Sequence, residues 1–161
     1  VYMIYTDSSC QPWHPGGILT WAFLVKHKKQ LIHQEAKIIG WGKEDLTVNR
    51  GEMTAVLAAM LWLIRLPKEE RIPAVINSDS QLVVNQCSES WGCHEPNLKA
   101  ILDLIFKAKG RYRKSIIYKW IPREKNKEAD ALSRTPYNER MLALMRANKN
   151  NIIHNWDDLP W

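Results

Sequence analysis

The chain has 161 residues, enough for one domain with a proper core, and its 45% hydrophobic and 25% charged content is that of a globular protein, not a disordered or fibrous one. No apolar run is long enough to span a bilayer, no signal-peptide pattern opens the chain, and three cysteines without a CxxC pair argue against a zinc site or disulfide framework and for a reducing, cytoplasmic setting. A net charge of +6 and a pI of about 9.3 suit either a solvated face or a polyanionic partner, nucleic acid first.

The opening on Val1 instead of Met reads as an excised or processed piece. Residues 1–5 form an apolar, β-branched and aromatic run that reads as a buried strand. Asp7 follows, where that strand should end, beside small polar turn residues. Residues 11–17, with two Pro and two Gly, read as a turn. Residues 19–26 and 30–40 read as strands joined at a Lys28-Lys29 hairpin tip, completing an antiparallel meander. From residue 50 to 66 the period becomes helical, with Met53, Val56, Leu57, Met60, Leu61 and Ile64 in step and Pro67 as the stop. Gly51 inside that helix start suggests a close backbone approach. A short strand at 74–77 runs into Ser78-Asp79-Ser80, which can cap a helix at 81–88. Asn97 should cap a helix to 109, and residues 115–121 form the last strand, ended by Pro122. A helix opening at Asn126 is interrupted by Pro136 and resumes at 137–148, with Met141, Leu142, Leu144 and Met145 inward. The order implies an α/β domain at 1–148 and a tail at 149–161 whose Ile152, Ile153, Trp156 and Trp161 dock somewhere on the body.

Each acid has a bland role in isolation. Asp7 can bond its own backbone, Glu52 can complement a helix dipole in a first turn, and Asp79 can be an N-cap. The helical crossovers make strands one, four and five parallel, so Asp7 and Asp79 emerge at the C-terminal ends of two parallel strands. If those strands are neighbours, the boundary is a topological switch point, where open α/β sheets place their ligands. Glu52 and Asp130 then fall near the same crevice. Like charges crowded in low dielectric are tolerable once divalent metal fills the space between them.

Asp7 in YTDSSC, Glu52 in VNRGEMTAVLAA, Asp79 in NSDSQLVV and Asp130 in WIPREKNKEADALSR resemble the four-carboxylate signature of type 1 ribonuclease H, over residues 1–134. The resemblance implies a five-stranded mixed sheet in order 3-2-1-4-5 with helices on both faces. It implies a monomeric endonuclease hydrolysing the RNA strand of RNA/DNA hybrids to 5′-phosphate and 3′-hydroxyl ends. Two Mg²⁺ ions, or Mn²⁺, would be held by Asp7, Glu52, Asp79 and Asp130. By the same resemblance Asn49 and Gln81 contact the hybrid in its minor groove, with the backbone near Ser9 and Cys10. Thr47 resembles a phosphate-pocket residue, and Trp91 an aromatic packed along the DNA strand or a loop anchor. Alternatives are another nuclease of the same fold, or a hybrid-binding domain with weak activity.

Three departures stand out. The stretch 121–126 lacks the family's usual histidine, leaving Arg123 or Glu124 to stand in. The basic protrusion of some bacterial members is missing, because 87–97 is short and mostly uncharged, so substrate grip shifts to the cations between Lys107 and Lys127. Ser8 stands where the family usually has Gly. The five histidines read as surface or structural residues.

Overall fold

The computed structural model describes residues 1–147, with side chains through residue 143; the expected tail and its docking residues lie outside them. Nine principal elements follow in order: β1 (Tyr2–Gln11), β2 (Ile18–His27), β3 (Gln30–Gly40), α1 (Val48–Arg65), β4 (Ala74–Ser78), α2 (Gln81–Cys87), α3 (Pro96–Tyr112), β5 (Ile116–Trp120) and α4 (Lys127–Ala147). One sheet holds all five strands in the order β3-β2-β1-β4-β5. The first three pair antiparallel, and β1–β4 and β4–β5 pair parallel, as expected. Lys28 and Lys29 take φ of 52° and 66°, the two left-handed residues that a tight hairpin matching the sheet's twist requires.

The main core lies on one face. Tyr2 and Ile4 of β1 and Phe23 and Val25 of β2 meet Met53, Val56, Ala59, Met60 and Leu63 of α1, with Leu98, Leu102 and Ile105 of α3 behind. The buried stripe of α1 is rotated from the expected one: Ala55, Ala59 and Leu63 are buried, while Leu57, Leu61 and Ile64 are only half-buried. Small alanines let the helix approach the sheet closely, so the larger residues fall to its flanks. α4 covers the opposite face, where Ile18 packs with Ile38, Trp41, Tyr137 and Met141.

Three local expectations give way. Glu95, not Asn97, caps α3, its carboxylate accepting the Asn97 and Leu98 amides at 3.1 and 2.7 Å, with Pro96 at the first helical position. Pro136 does not interrupt α4. It cannot donate to the Leu132 carbonyl, but the Thr135 hydroxyl does, at 2.8 Å, so that carbonyl keeps a partner. Leu142 is half-exposed at 52%, not inward.

Candidate metal centre

The pairing of β1 creates the site. Its parallel ladder with β4 stops at Tyr5 opposite Asn77, while its antiparallel ladder with β2 continues to Gln11 opposite Ile18. Asp7 is therefore inside a strand, not beyond its end, but on the stretch whose β4 side has been vacated. Polar side chains close the seam. Thr6 Oγ1 donates to the Asn77 carbonyl at 3.2 Å, Asn77 Nδ2 to the Ile4 carbonyl at 3.0 Å, and Asn126 Nδ2 to the Thr6 carbonyl at 2.9 Å.

Into this notch come three carboxylates. Asp7, Glu52 and Asp79 each present an oxygen within 4.8 Å of the others. The bland roles fall away in turn. Glu52 is the fifth residue of α1, past the first turn, and is 4% exposed. Ser80, not Asp79, caps α2, its hydroxyl accepting the Val83 amide. Asp7 does accept its neighbour's amide, from Ser8 at 2.9 Å, which satisfies one oxygen and leaves the burial of the charge unexplained. Glu52 comes this deep because α1 closes on β1 at Gly51. A β-carbon there would lie 1.9 Å from Ser8 Oγ, and that hydroxyl is in turn fixed by donating to the Thr20 carbonyl at 2.7 Å. The serine that replaces the family's usual glycine is thus accommodated by a glycine on the facing helix.

The electrostatics are those of crowded acids. Burial pushes Asp7 up to about 7, and the charges of Asp79 and Asp130 act in the same direction against the hydrogen bonds from Glu52 and Ser8. Glu52 is pushed well above the carboxylate range, first by burial and then by the Asp7 charge and the hydrogen bond the two share; Arg123 opposes this. Burial also raises Asp79, against the Asn126 amide and the Arg123 guanidinium. Both shifts favour the protonated carboxyls of Asp7 and Glu52 in the absence of a cation, and Glu52 Oε2 is buried with no partner. These residues fit a hard divalent ion. The donor set is all carboxylate, and opposed oxygens around Mg²⁺ stand roughly 4 Å apart, near the spread found here.

The structure does not bring the fourth acid into this group. Asp130, one turn into α4, is near enough to raise Asp7 and Asp79, but its nearest cation is Arg134, at 3.5 Å. Asn49, Gln81, Trp91 and Arg123 are exposed; Asn49 lies one helical turn before Glu52, and Gln81 opens α2 just after Asp79. Thr47 is the N-cap of α1, its hydroxyl accepting the Arg50 amide at 3.3 Å. Ser9 is buried. Its amide donates to Thr20 Oγ1, and its hydroxyl and that of Thr20 both lie against the Ser133 carbonyl, tying α4 to the sheet. Cys10 is half-buried, with its thiol on the Trp13 carbonyl. His14 accepts the Val48 amide at the start of α1, and His33 pairs with Glu35.

Two neighbours of the site carry no periodic or charge signal in the sequence. Asn126, read only as a helix opener, is buried against both β1 and Asp79. Trp120 is 44% exposed, and its indole N–H donates to the Asp79 carbonyl at 3.1 Å. A tryptophan ending an edge strand just before a proline was the available hint. The cations of 107–127 are divided: Lys119, Arg123, Lys125 and Lys127 lie toward the carboxylate end of β5, and Arg111, Arg113 and Lys114 precede its start.

The profile of the family described as reverse transcriptase-like matches residues 31–135, from β3 into α4. Among solved structures, an RNase H1 isolated from compost by a metagenomic approach is 25% identical, with a TM-score of 0.76, over 87% of this chain and 97% of that one. The LC11-RNase H1 structure in complex with an RNA/DNA hybrid is 22% identical, with a TM-score of 0.70, over 88% and 99%. The RNase H1 of the halophilic archaeon Halobacterium salinarum NRC-1 is 19% identical, with a TM-score of 0.73, over 86% and 98%.

Proposed function

The chain belongs to the reverse transcriptase-like family and has the type 1 ribonuclease H fold, and from this we propose that it is an endoribonuclease cutting the RNA strand of RNA/DNA hybrids. The observation that carries the proposal is the trio of buried Asp7, buried Glu52 and half-buried Asp79, with an unpartnered Glu52 oxygen, at the switch point between β1 and β4. Asp7, Glu52 and Asp79 would hold divalent ions, Mg²⁺ or Mn²⁺, with Asp130 completing a shell from the side. Two such ions would supply an activated water and neutralise the leaving oxygen, giving 5′-phosphate and 3′-hydroxyl ends.

The residues of the chain do the rest. Asn49, one helical turn before Glu52, and Gln81, two residues after Asp79, are exposed and are the groups to read the 2′-hydroxyl in the hybrid's minor groove. Trp91 offers an exposed aromatic surface to the DNA strand, and Trp120 a second one beside Asp79. Arg123 occupies the loop where the family's histidine is expected. Its role is electrostatic: it favours the ionised forms of Glu52 and Asp79. Hybrid binding by a relative of the same fold supports the choice of substrate.

The deciding assay incubates the protein with end-labelled hybrid, single-stranded RNA and duplex DNA, with Mg²⁺, with Mn²⁺ and with chelator. Internal cuts confined to the RNA strand of the hybrid, and lost on chelation, are expected. Cleavage that survives chelation, or that falls on the DNA strand, defeats the reading.

A further inference from the structure

The far end of the sheet carries cations with no evident structural use. Trp120, whose indole touches the Asp79 backbone, ends β5, and Lys114 lies two residues before its start at Ile116, so the strand separates them by roughly 13 Å or more. At the Lys114 end, Lys68, Arg111, Arg113 and Lys114 line a depression of about 550 Å³ beside Gly110. Its inner wall is fixed by Arg71 and Tyr112. The Arg71 guanidinium donates to the Ile64, Leu66 and Arg111 carbonyls at 2.7, 3.0 and 3.3 Å, and lies 5.9 Å from the centre of the Tyr112 ring. Tyr112 donates to the Ile72 carbonyl at 2.6 Å. Arg71 is therefore engaged with the carbonyl ends of α1 and α3, whereas the four lining cations are exposed and, among the described residues, form no ion pair. Glu69 and Glu70 follow Lys68 in the chain but do not line the depression.

Arg113 is the second observation. It ends α3 with φ 60° and ψ 15°, the left-handed conformation that suits glycine and strains a residue with a β-carbon. A chain needing only to stop the helix would do better with glycine. An arginine here keeps a charge at the lip of the depression at the expense of a relaxed backbone.

We propose that this depression is a second nucleic-acid site, gripping the sugar-phosphate backbone of a duplex at the end of the sheet remote from the carboxylates. Several exposed cations around an open depression suit successive phosphates. A membrane-surface site would set large apolar side chains beside its cations, and this lining has none exposed. The proposal requires binding only and stands apart from the hydrolytic reading.

The test measures binding of a fluorescent DNA duplex of about 30 base pairs in chelator, over a salt series, to the native chain and to a Lys68→Gln/Arg111→Gln/Arg113→Gln variant. Affinity at low salt should fall about tenfold or more, and the slope of log affinity against log salt should flatten by about 2 to 3, near 0.9 per lost phosphate contact. Arg113→Gly alone should raise the melting temperature and flatten the slope by about 1; a purely structural helix end would raise the melting temperature and leave the slope alone. Native affinity and slope in both variants would overturn the proposal; so would a parallel measurement with anionic-lipid vesicles in which the variants lose vesicle binding and keep native duplex binding. If the native chain cuts no hybrid but the duplex result holds, the hydrolytic reading fails and this one survives.

Discussion

Replacing Asp7 by Asn should make the metal-free protein more stable at neutral pH, although it removes a central residue of the proposed site. In the unfolded chain the Asp7 carboxyl loses its proton near its ordinary 3.8, and in the fold only near 7. Between those values the folded chain binds the extra proton, so stability falls as pH rises through the window, and the penalty is complete above it. A window of that width corresponds to roughly 4 kcal/mol, at about 1.4 kcal/mol for each pH unit it spans. Asparagine keeps the volume and can still accept the Ser8 amide, but it ends the carboxyl–carboxyl hydrogen bond with Glu52, so a net gain of roughly 2–3 kcal/mol is expected. For a domain of this size that is a rise in melting temperature of roughly 5–10 °C at about pH 8, shrinking to nothing near pH 4. Scanning calorimetry in chelator across that range measures it directly. Added Mg²⁺ should then stabilise the native chain and close the gap. A variant less stable than the native chain at pH 8 without metal, or a difference that ignores pH, would refute the crowding argument.

Asp79→Asn should reduce hybrid cleavage to background with an unchanged circular dichroism spectrum; near-normal turnover would remove Asp79 from the proposed site. Gly51→Ala forces a β-carbon to 1.9 Å from Ser8 Oγ and 2.9 Å from Leu19 Cδ1, and should cost roughly 2–3 kcal/mol in chemical denaturation. Adding Ser8→Gly should recover about half of that, the Leu19 contact remaining, and failure to recover any would mean the two residues do not meet. Arg123→Ala removes the cation that favours ionised Glu52 and Asp79, so half-saturation by Mg²⁺ should need more metal and the activity profile should move to higher pH. An unmoved profile would leave Arg123 without an electrostatic role.

Much of this architecture is written in short stretches of chain. The period-two and period-four patterns, the lysine hairpin tip and the proline stops are decided by neighbours within a turn or a strand, and they give the order of elements along the chain; the 3-2-1-4-5 order of the sheet came only as what the family resemblance implies, and the pairing of β1 with β4 in the structure bears it out. Gly51 announced a close approach before the partner was known. The four acids stood out by residue type and motif. What distant packing decided was invisible at that range. Whether Asp7 ends a strand depends on where β4 stops beside it, and that is a matter of register between segments some seventy residues apart. Which acid caps a helix turned on one-residue differences, Ser80 in place of Asp79 and Glu95 in place of Asn97. Pro136 looked like a break because its lost bond is local, but the Thr135 hydroxyl gives the Leu132 carbonyl a partner. The run of cations from 107 to 127 looked like one patch because charge in a sequence has no direction. A strand carries its two ends to opposite poles, so a single basic stretch became a rim near the carboxylates and a separate surface far from them.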